Sequence, residues 1–365
     1  MDFTFLCESP PAKNGRKVAI IGAGPSGLAA TGYLACKGYQ VEVYDKLPSA
    51  GGLMVFGIPG HRIPQAGIES AVNRLKNEYN VKFLLQTKIC GSEPMNQEAG
   101  DDFVYTYKSL GGRVEDNDAV LICTGTWQSR RLNIPGSHLP GVYSGLEFLF
   151  PVRAARYNVD RMKVPEIKGK KIAVIGAGFT AVDVVHEALA GGAENVTLIY
   201  RRTKKEAPCG TLEMNLLEKT GAECMELVSP VRITGDERVQ GLELARCRLA
   251  GPDESGRCRS LVCDGELIHL EADLIITAIG EIATPPFAHD LGLENVRKGQ
   301  VRWLQMTSME SVFVAGDALT GPSRIGNAVF SGLKAAKSLD EWITLNAQNR
   351  LDEYKEEIIQ RQDLR

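Results

Sequence analysis

What the sequence lacks narrows its function before any motif is considered. No uninterrupted apolar run reaches transmembrane length, so no membrane span or membrane partner is expected. The start, Met-Asp-Phe-Thr-Phe-Leu-Cys, has no basic residue leading into a long apolar stretch, so no signal peptide is expected either. Net charge is only -3 over 365 residues, which gives no electrostatic reason to expect nucleic acid as a partner. Histidine is scarce: His61, His138, His186, His269 and His289 show no metal-ligand or catalytic spacing, so surface or capping roles are expected for them and no metal site. The nine cysteines (Cys7, Cys36, Cys90, Cys123, Cys209, Cys224, Cys247, Cys258 and Cys263) include no C-x-x-C pair, which argues against disulfide reduction. Scattered in this way, they fit a reducing cytoplasm, most of them as small buried hydrophobes. Cys258 and Cys263 have no matching second pair and are not expected to hold metal.

What is present is an ordinary soluble composition, 44% hydrophobic and 24% charged, in a chain long enough for two or three compact units. The clearest organisation is an internal repeat. Residues 17–24 read Lys-Val-Ala-Ile-Ile-Gly-Ala-Gly, and residues 171–178 read Lys-Ile-Ala-Val-Ile-Gly-Ala-Gly. Each is a β-branched run entering a glycine turn. An alanine-rich helical stretch follows each, then a second apolar run, at Gln40–Tyr44 and Asn195–Tyr200. Strand, turn, helix, strand twice over predicts an α/β chain with two parallel-sheet units. The Pro- and Gly-containing stretch Asn133–Gly169 reads as a connection. Leu242–Arg248 and Ser260–Leu270 suggest a hairpin, Leu274–Ile279 a buried strand, and Ser311–Ala315 a further strand leading into Gly316-Asp317. An amphipathic helical tail follows Val329, and its last charged turns, Asp352–Arg365, read as solvated or frayed.

The first glycine turn, Gly22-x-Gly24-x-x-Gly27, has the residue types a dinucleotide needs. Gly22 permits a sharp turn, Gly24 lets the backbone approach a pyrophosphate, and Gly27 lets helix and strand pack closely. The helix opening at Pro25 and Ser26 turns free amides and a positive dipole end to the phosphates. Asp45, followed by Lys46, closes the second strand at a distance suited to a ribose hydroxyl. The second turn is Gly176-x-Gly178-x-x-Ala181, and its second strand ends in Arg201-Arg202 where the first ends in an acid. Guanidinium groups attract the 2′-phosphate of NADP, which an acid repels, and Lys204 and Lys205 add to that charge. A solvated basic turn is the competing reading, and NAD stays open. Flavin supplies a reason for two dinucleotide sites on one chain: FAD in one fold and a nicotinamide placed against it from the other. Hydride transfer between them needs no protein acid or base, so no catalytic side chain is expected.

With these motifs in order over about residues 15–340, the chain resembles the flavin-containing small subunit of glutamate synthase and related NAD(P)H-dependent flavin oxidoreductase subunits. The resemblance implies two nested Rossmann-like domains. The FAD domain would be discontinuous, 1–127 and 281–365, with an NAD(P) domain, 128–280, inserted in it. It also implies site residues. Gly51-Gly52-Leu53, Phe56-Gly57-Ile58-Pro59 and Arg62 resemble the family's marker beside the flavin, and Ile89 falls where its adenine-contacting strand ends. Cys123-Thr124-Gly125 resembles the stretch that closes the first FAD segment. Gly176, Gly178, Phe179, Thr180, Ala181 and Asp183 resemble the nucleotide turn of the NADPH domain, with Phe179 where the family usually has a polar residue. Ala278-Ile279-Gly280 resembles its return strand, and the aspartate of Gly316-Asp317 resembles the ribityl ligand. The helix from Ile325 to Gly332 would face its N-terminus to the flavin pyrimidine.

Family members usually carry an N-terminal iron–sulfur domain, and only Cys7 precedes the first strand here. The implied function is therefore an electron-transfer subunit in a hetero-oligomer. Its partner would be an iron–sulfur protein or larger catalytic subunit: glutamate synthase-like, ferredoxin-type, or a metal-dependent aldehyde oxidoreductase. A stand-alone flavoenzyme and a non-catalytic NAD(P)-sensing scaffold are the alternatives. Residues 97–118 are longer and more acidic than the family pattern and suggest a surface loop or docking patch.

Overall fold

The computed structural model describes residues 3–91, 98–155, 163–252, 256–282 and 291–354. The chain divides into two compact units. One comprises 1–56, 60–128 and 282–365, and the other 57–59 and 129–281.

The first unit is built on a five-stranded parallel sheet in the order Val312–Val314, Ala119–Ile122, Lys17–Ile21, Gln40–Tyr44, Lys82–Leu84. Its strands Lys17–Ile21 and Ala119–Ile122 are apolar on both faces beyond Lys17 because both sides are covered, as in other parallel sheets. Val18–Ile21 and Ala119–Ile122 are buried throughout. The helix Pro25–Ala35 starts with proline at its first turn, where the missing amide costs nothing. It is buried on nearly every face, which explains its Ala- and Gly-rich sequence. The long helix Ile325–Ala347 packs along it. Each fully buried Val, Leu or Ile in such a core contributes roughly 1.5–3 kcal/mol.

The second unit repeats this plan strand by strand, in the order Val142–Ser144, Leu274–Thr277, Lys171–Ile175, Asn195–Tyr200, Glu223–Glu226, all parallel. An antiparallel sheet is added to it, with Gly241–Pro252 at its centre.

The structure revises three expectations. The stretch expected as a connection contains the edge strand Val142–Ser144 and the helix Gly145–Ala154. Its start is fixed by a capping box, with the Ser144 hydroxyl accepting the Glu147 amide and the Glu147 carboxylate accepting the Ser144 amide. The expected hairpin has a divided second arm: Cys258–Val262 pairs with the outer half of Gly241–Pro252, and Ile268–Glu271 with the inner half. The break falls at Gly265, whose φ of 154° leaves the strand path. Cys90, Cys123, Cys209 and Cys247 are buried free thiols, but Cys7 and Cys36 form a disulfide. That bond ties the N-terminal segment to the end of the Pro25–Ala35 helix, alongside a hydrogen bond from the Tyr79 hydroxyl to the Cys7 carbonyl.

His61, His138 and His269 are exposed, His186 is half-buried, and His289 lies outside the described residues. Beyond the short turn Leu351–Tyr354, the charged tail also lies outside them. No helix of the described residues is long and apolar enough to cross a membrane.

Candidate functional site

In the first unit, four separate stretches of chain converge on the glycine turn. The Gly22 amide donates to the Tyr44 carbonyl at 2.7 Å, and the Cys123 amide to the Ile21 carbonyl at 2.7 Å. Gly22 has φ 108°, and a Cβ there would fall on the Cys123 carbonyl oxygen, so only glycine fits. A Cβ on Gly27 would likewise fall on the Gly22 carbonyl oxygen. The Gly51 amide donates to the Ala23 carbonyl at 2.8 Å, which brings Gly52 against Gly24. Gly316 lies against Ser26, and its amide donates to the Ser331 hydroxyl at 2.9 Å. Gly22, Gly24, Pro25, Ser26, Gly27, Gly52, Leu53, Thr124, Gly125, Gly316 and Asp317 are therefore neighbours or chain neighbours around one turn.

Asp45 sits beside this turn, buried, with its carboxylate accepting the amides of Ala23 at 2.6 Å and Leu47 at 2.8 Å. Burial pushes its pKa up, against the pull of those two amides. Burial also raises the pKa of Asp317, opposed by the Ser323 hydroxyl, which donates to it at 2.6 Å.

Two expected site residues, Ile89 and Lys46, sit differently. The Ile89 side chain is in the hydrophobic core with Tyr44, Val120 and Val312, so only its backbone could meet a ligand. Lys46 is buried in an ion cluster with Glu98 and Asp101. Arg62 is half-buried at the turn before the helix Gln65–Asn77. Ile325 is the first residue of its helix, as expected.

The second turn reproduces the first. The Gly176 amide donates to the Ile199 carbonyl at 3.0 Å, the Ala278 amide to the Ile175 carbonyl at 2.8 Å, and the Cys209 amide to the Ala177 carbonyl at 3.2 Å. Phe179, Thr180 and Ala181 open the helix Phe179–Ala190, with Phe179 packed against the core. Gly280 has φ 101°, and its carbonyl accepts the Arg130 amide at 2.8 Å. Arg201 and Arg202 diverge. Arg201 is exposed, whereas Arg202 is buried and hydrogen-bonds Tyr200. Lys205 is exposed, but Lys204 is paired with Glu218 at 3.2 Å.

Both turns fit a dinucleotide. The helices that open at Gly24 and Gly178 have no side-chain cap, unlike the Ser144-capped helix, so their first amides are left for another acceptor. A Cβ built on Gly24 or on Gly178 meets nothing within 4 Å, so there is open space before each turn. In the first unit the Thr124 hydroxyl is buried with no partner among the described residues, as a polar atom awaiting a ligand would be. No group of three or more His, Cys, Asp or Glu among the described residues could hold a metal ion.

Comparison with known proteins agrees with this geometry. Residues 16–332 match the family model described as pyridine nucleotide-disulphide oxidoreductase. The chain is 33% identical over 92% of its length to the NADP(+)-dependent formate dehydrogenase subunit beta of Moorella thermoacetica, and spans 45% of that protein. It is 31% identical over 90% of its length to the glutamate synthase [NADPH] small chain of Halomonas elongata, and spans 68% of it. Among solved structures, Mycobacterium tuberculosis FprA in complex with NADPH matches with a TM-score of 0.72 at 19% identity, covering 95% of this chain and 90% of that one, which shows the shared fold. The chain belongs to the pyridine nucleotide-disulphide oxidoreductase family and is an FAD-dependent oxidoreductase of pyridine nucleotides.

Proposed function

We propose that the first unit holds FAD, the second holds NADPH, and the chain serves as the electron-transfer subunit of a larger complex with an iron–sulfur partner. The observation that carries this is the contrast between Asp45 and Arg201. Each is the first residue after the strand that follows the glycine-turn helix of its unit; by register Tyr200 fills the place of Asp45, and Arg201 is the next residue along the exit of that strand. A carboxylate there suits a ribose diol, and a guanidinium suits a 2′-phosphate. The names of relatives support the reading: an NADP(+)-dependent formate dehydrogenase subunit, an NADPH glutamate synthase small chain and an NADPH-Fe(3+) oxidoreductase subunit.

FAD, when bound, supplies a two-electron acceptor for hydride from a nicotinamide. The chain's own residues bind and orient. Amides at the Gly24 turn and the Thr124 hydroxyl take one dinucleotide. Asp45 holds a ribose, and Asp317 a polyol chain. Gly176, Gly178, Thr180 and Arg201 take the other dinucleotide. No side chain needs to move a proton, which agrees with the scarcity of histidine.

The test is to reconstitute the purified chain with FAD and follow dye reduction by NADPH and by NADH, then purify the complex from its native source. NADPH-preferring dye reduction and a co-purifying iron–sulfur protein are expected. Stoichiometric turnover of a small organic substrate without any partner would contradict the subunit role.

A further inference from the structure

The acidic segment Glu98–Phe103, which the family resemblance leaves without a role, is anchored at every side in the first unit. Glu98 stands 3.1 Å from the Lys46 ammonium and 3.6 Å from that of Lys88. Asp101 stands 3.3 Å and 2.6 Å from the same two groups. None of the four side chains is more than 15% exposed. The segment turns at Gly100, whose left-handed backbone lets the Glu98 amide reach the Asp101 carboxylate at 3.0 Å. Its far end is fixed by the Gln86 side chain on the Phe103 carbonyl, and by the edge of the Phe103 ring against Phe56 at 6.1 Å. Lys46 in turn lies over the Trp127 ring, 4.1 Å from its centre, and the Trp127 indole donates to the Thr124 carbonyl at 2.7 Å.

The residues so gripped are the chain neighbours of the flavin-site residues. Lys46 follows Asp45, Lys88 precedes Ile89, Phe56 ends the short helix that begins at Leu53, and Trp127 follows the Thr124-Gly125 turn. We propose that Glu98 and Asp101 are positioning residues for the adenosine end of the flavin site, locking Lys46, Lys88 and, through Lys46, Trp127 into one arrangement. This rests on the flavin reading of the first unit. Two ammonium groups buried side by side repel and cannot recover their hydration, and the two carboxylates balance them. Burial already pushes the Lys46 pKa down, with Glu98 and Asp101 pulling against it. Loss of one carboxylate leaves the two buried ammonium groups sharing a single carboxylate of the pair, and the backbone beside Asp45 shifts to expose one of them.

The test compares the full-length wild-type chain with Glu98→Gln, Asp101→Asn and the paired Lys46→Gln, Glu98→Gln variant. The paired variant folds without a stranded charge, since Lys88 keeps Asp101. Flavin-free chains are titrated with FAD and with NADPH well below their melting temperature, and tryptophan emission is recorded. The single variants are expected to bind FAD at least about tenfold more weakly, with NADPH affinity unchanged and tryptophan emission shifted. The paired variant should show a smaller loss, about threefold, with the same emission shift. If the single variants do not fold, the paired variant decides. Wild-type FAD affinity in the paired variant, or an equal loss for FAD and NADPH, overturns the proposal and leaves the segment a merely structural tie that moves only the melting temperature. A wild-type chain that takes up no FAD overturns the flavin reading and the proposal with it.

Discussion

The carboxylate of Asp45 accepts the amide of Ala23 across 2.6 Å, so the acid that ends one strand braces the glycine turn that ends its neighbour. The bond makes Asp45 part of the turn's own framework, besides the ribose-binding role proposed for it. Asp45→Ala should therefore fail in two ways. It strands the buried Ala23 and Leu47 amides, at about 1–3 kcal/mol each, and it weakens FAD retention. Asp45→Asn, which keeps one acceptor oxygen, should lie between. Flavin content after gel filtration, with urea unfolding of the flavin-free chain, measures both; unchanged values for Asp45→Ala would remove the acid from the site.

Arg201 and Arg202 are adjacent but should separate cleanly in kinetics. Arg201→Ala, at an exposed position, should raise KM for NADPH by about tenfold or more and leave NADH untouched. Arg202→Ala should instead lower stability, because it empties a buried position and leaves the Tyr200 hydroxyl with only the Glu206 carbonyl, to which it donates at 2.8 Å. Steady-state assays with both nucleotides, alongside thermal melts, distinguish them. An equal effect of Arg201→Ala on NADPH and NADH would make it a surface charge only.

The raised pKa of Asp317 gives a signed pH effect. Burial makes its ionised form less comfortable in the folded chain than in the unfolded one, so its contribution to stability is full below the ordinary carboxylate range, near 3.8, and is lost as pH rises through its higher folded-state value. At neutral pH, in the flavin-free chain, ionised Asp317 is therefore a cost. Asp317→Asn should raise the melting temperature of that chain at neutral pH more than at mildly acidic pH, while weakening FAD retention. Melting curves across that range, with flavin content, check it. A destabilised neutral-pH variant would contradict the assignment.

Cys123 lies beside the first turn, 3.5 Å from the Ser26 hydroxyl, and burial pushes its thiol up to about 12. It should stay protonated and resist alkylation in the folded chain. The partly exposed Cys258 and Cys263 should be modified first. Mass spectrometry of iodoacetamide-treated native protein reads this directly, and early labelling of Cys123 would show the turn to be open.

How much of this was legible in the sequence follows from what is local. The two strands and turns at residues 17–24 and 171–178 are contiguous patterns whose glycines and β-branched residues act over a few positions, and both folds follow from them. The Ser144-x-x-Glu147 capping box is equally local and marks the helix at Gly145, though surrounding Pro and Gly hide it. The rest depends on chain path. Lys46 meets Glu98 across 52 residues, and Cys7 meets Cys36 across 29. Neither pairing has a periodicity or turn signal to announce it. Arg202 looked like Arg201 in sequence, and only the strand's exit direction buries one and exposes the other.

The most direct measurement of the central claim is an anaerobic titration of the purified, FAD-reconstituted chain with NADPH, followed by flavin absorbance. The account predicts that the chain retains FAD in equal proportion and that an equivalent amount of NADPH bleaches it, with Arg201→Ala needing far more nucleotide. A chain that retains no flavin, or a bound flavin that NADPH leaves fully oxidised, would contradict it.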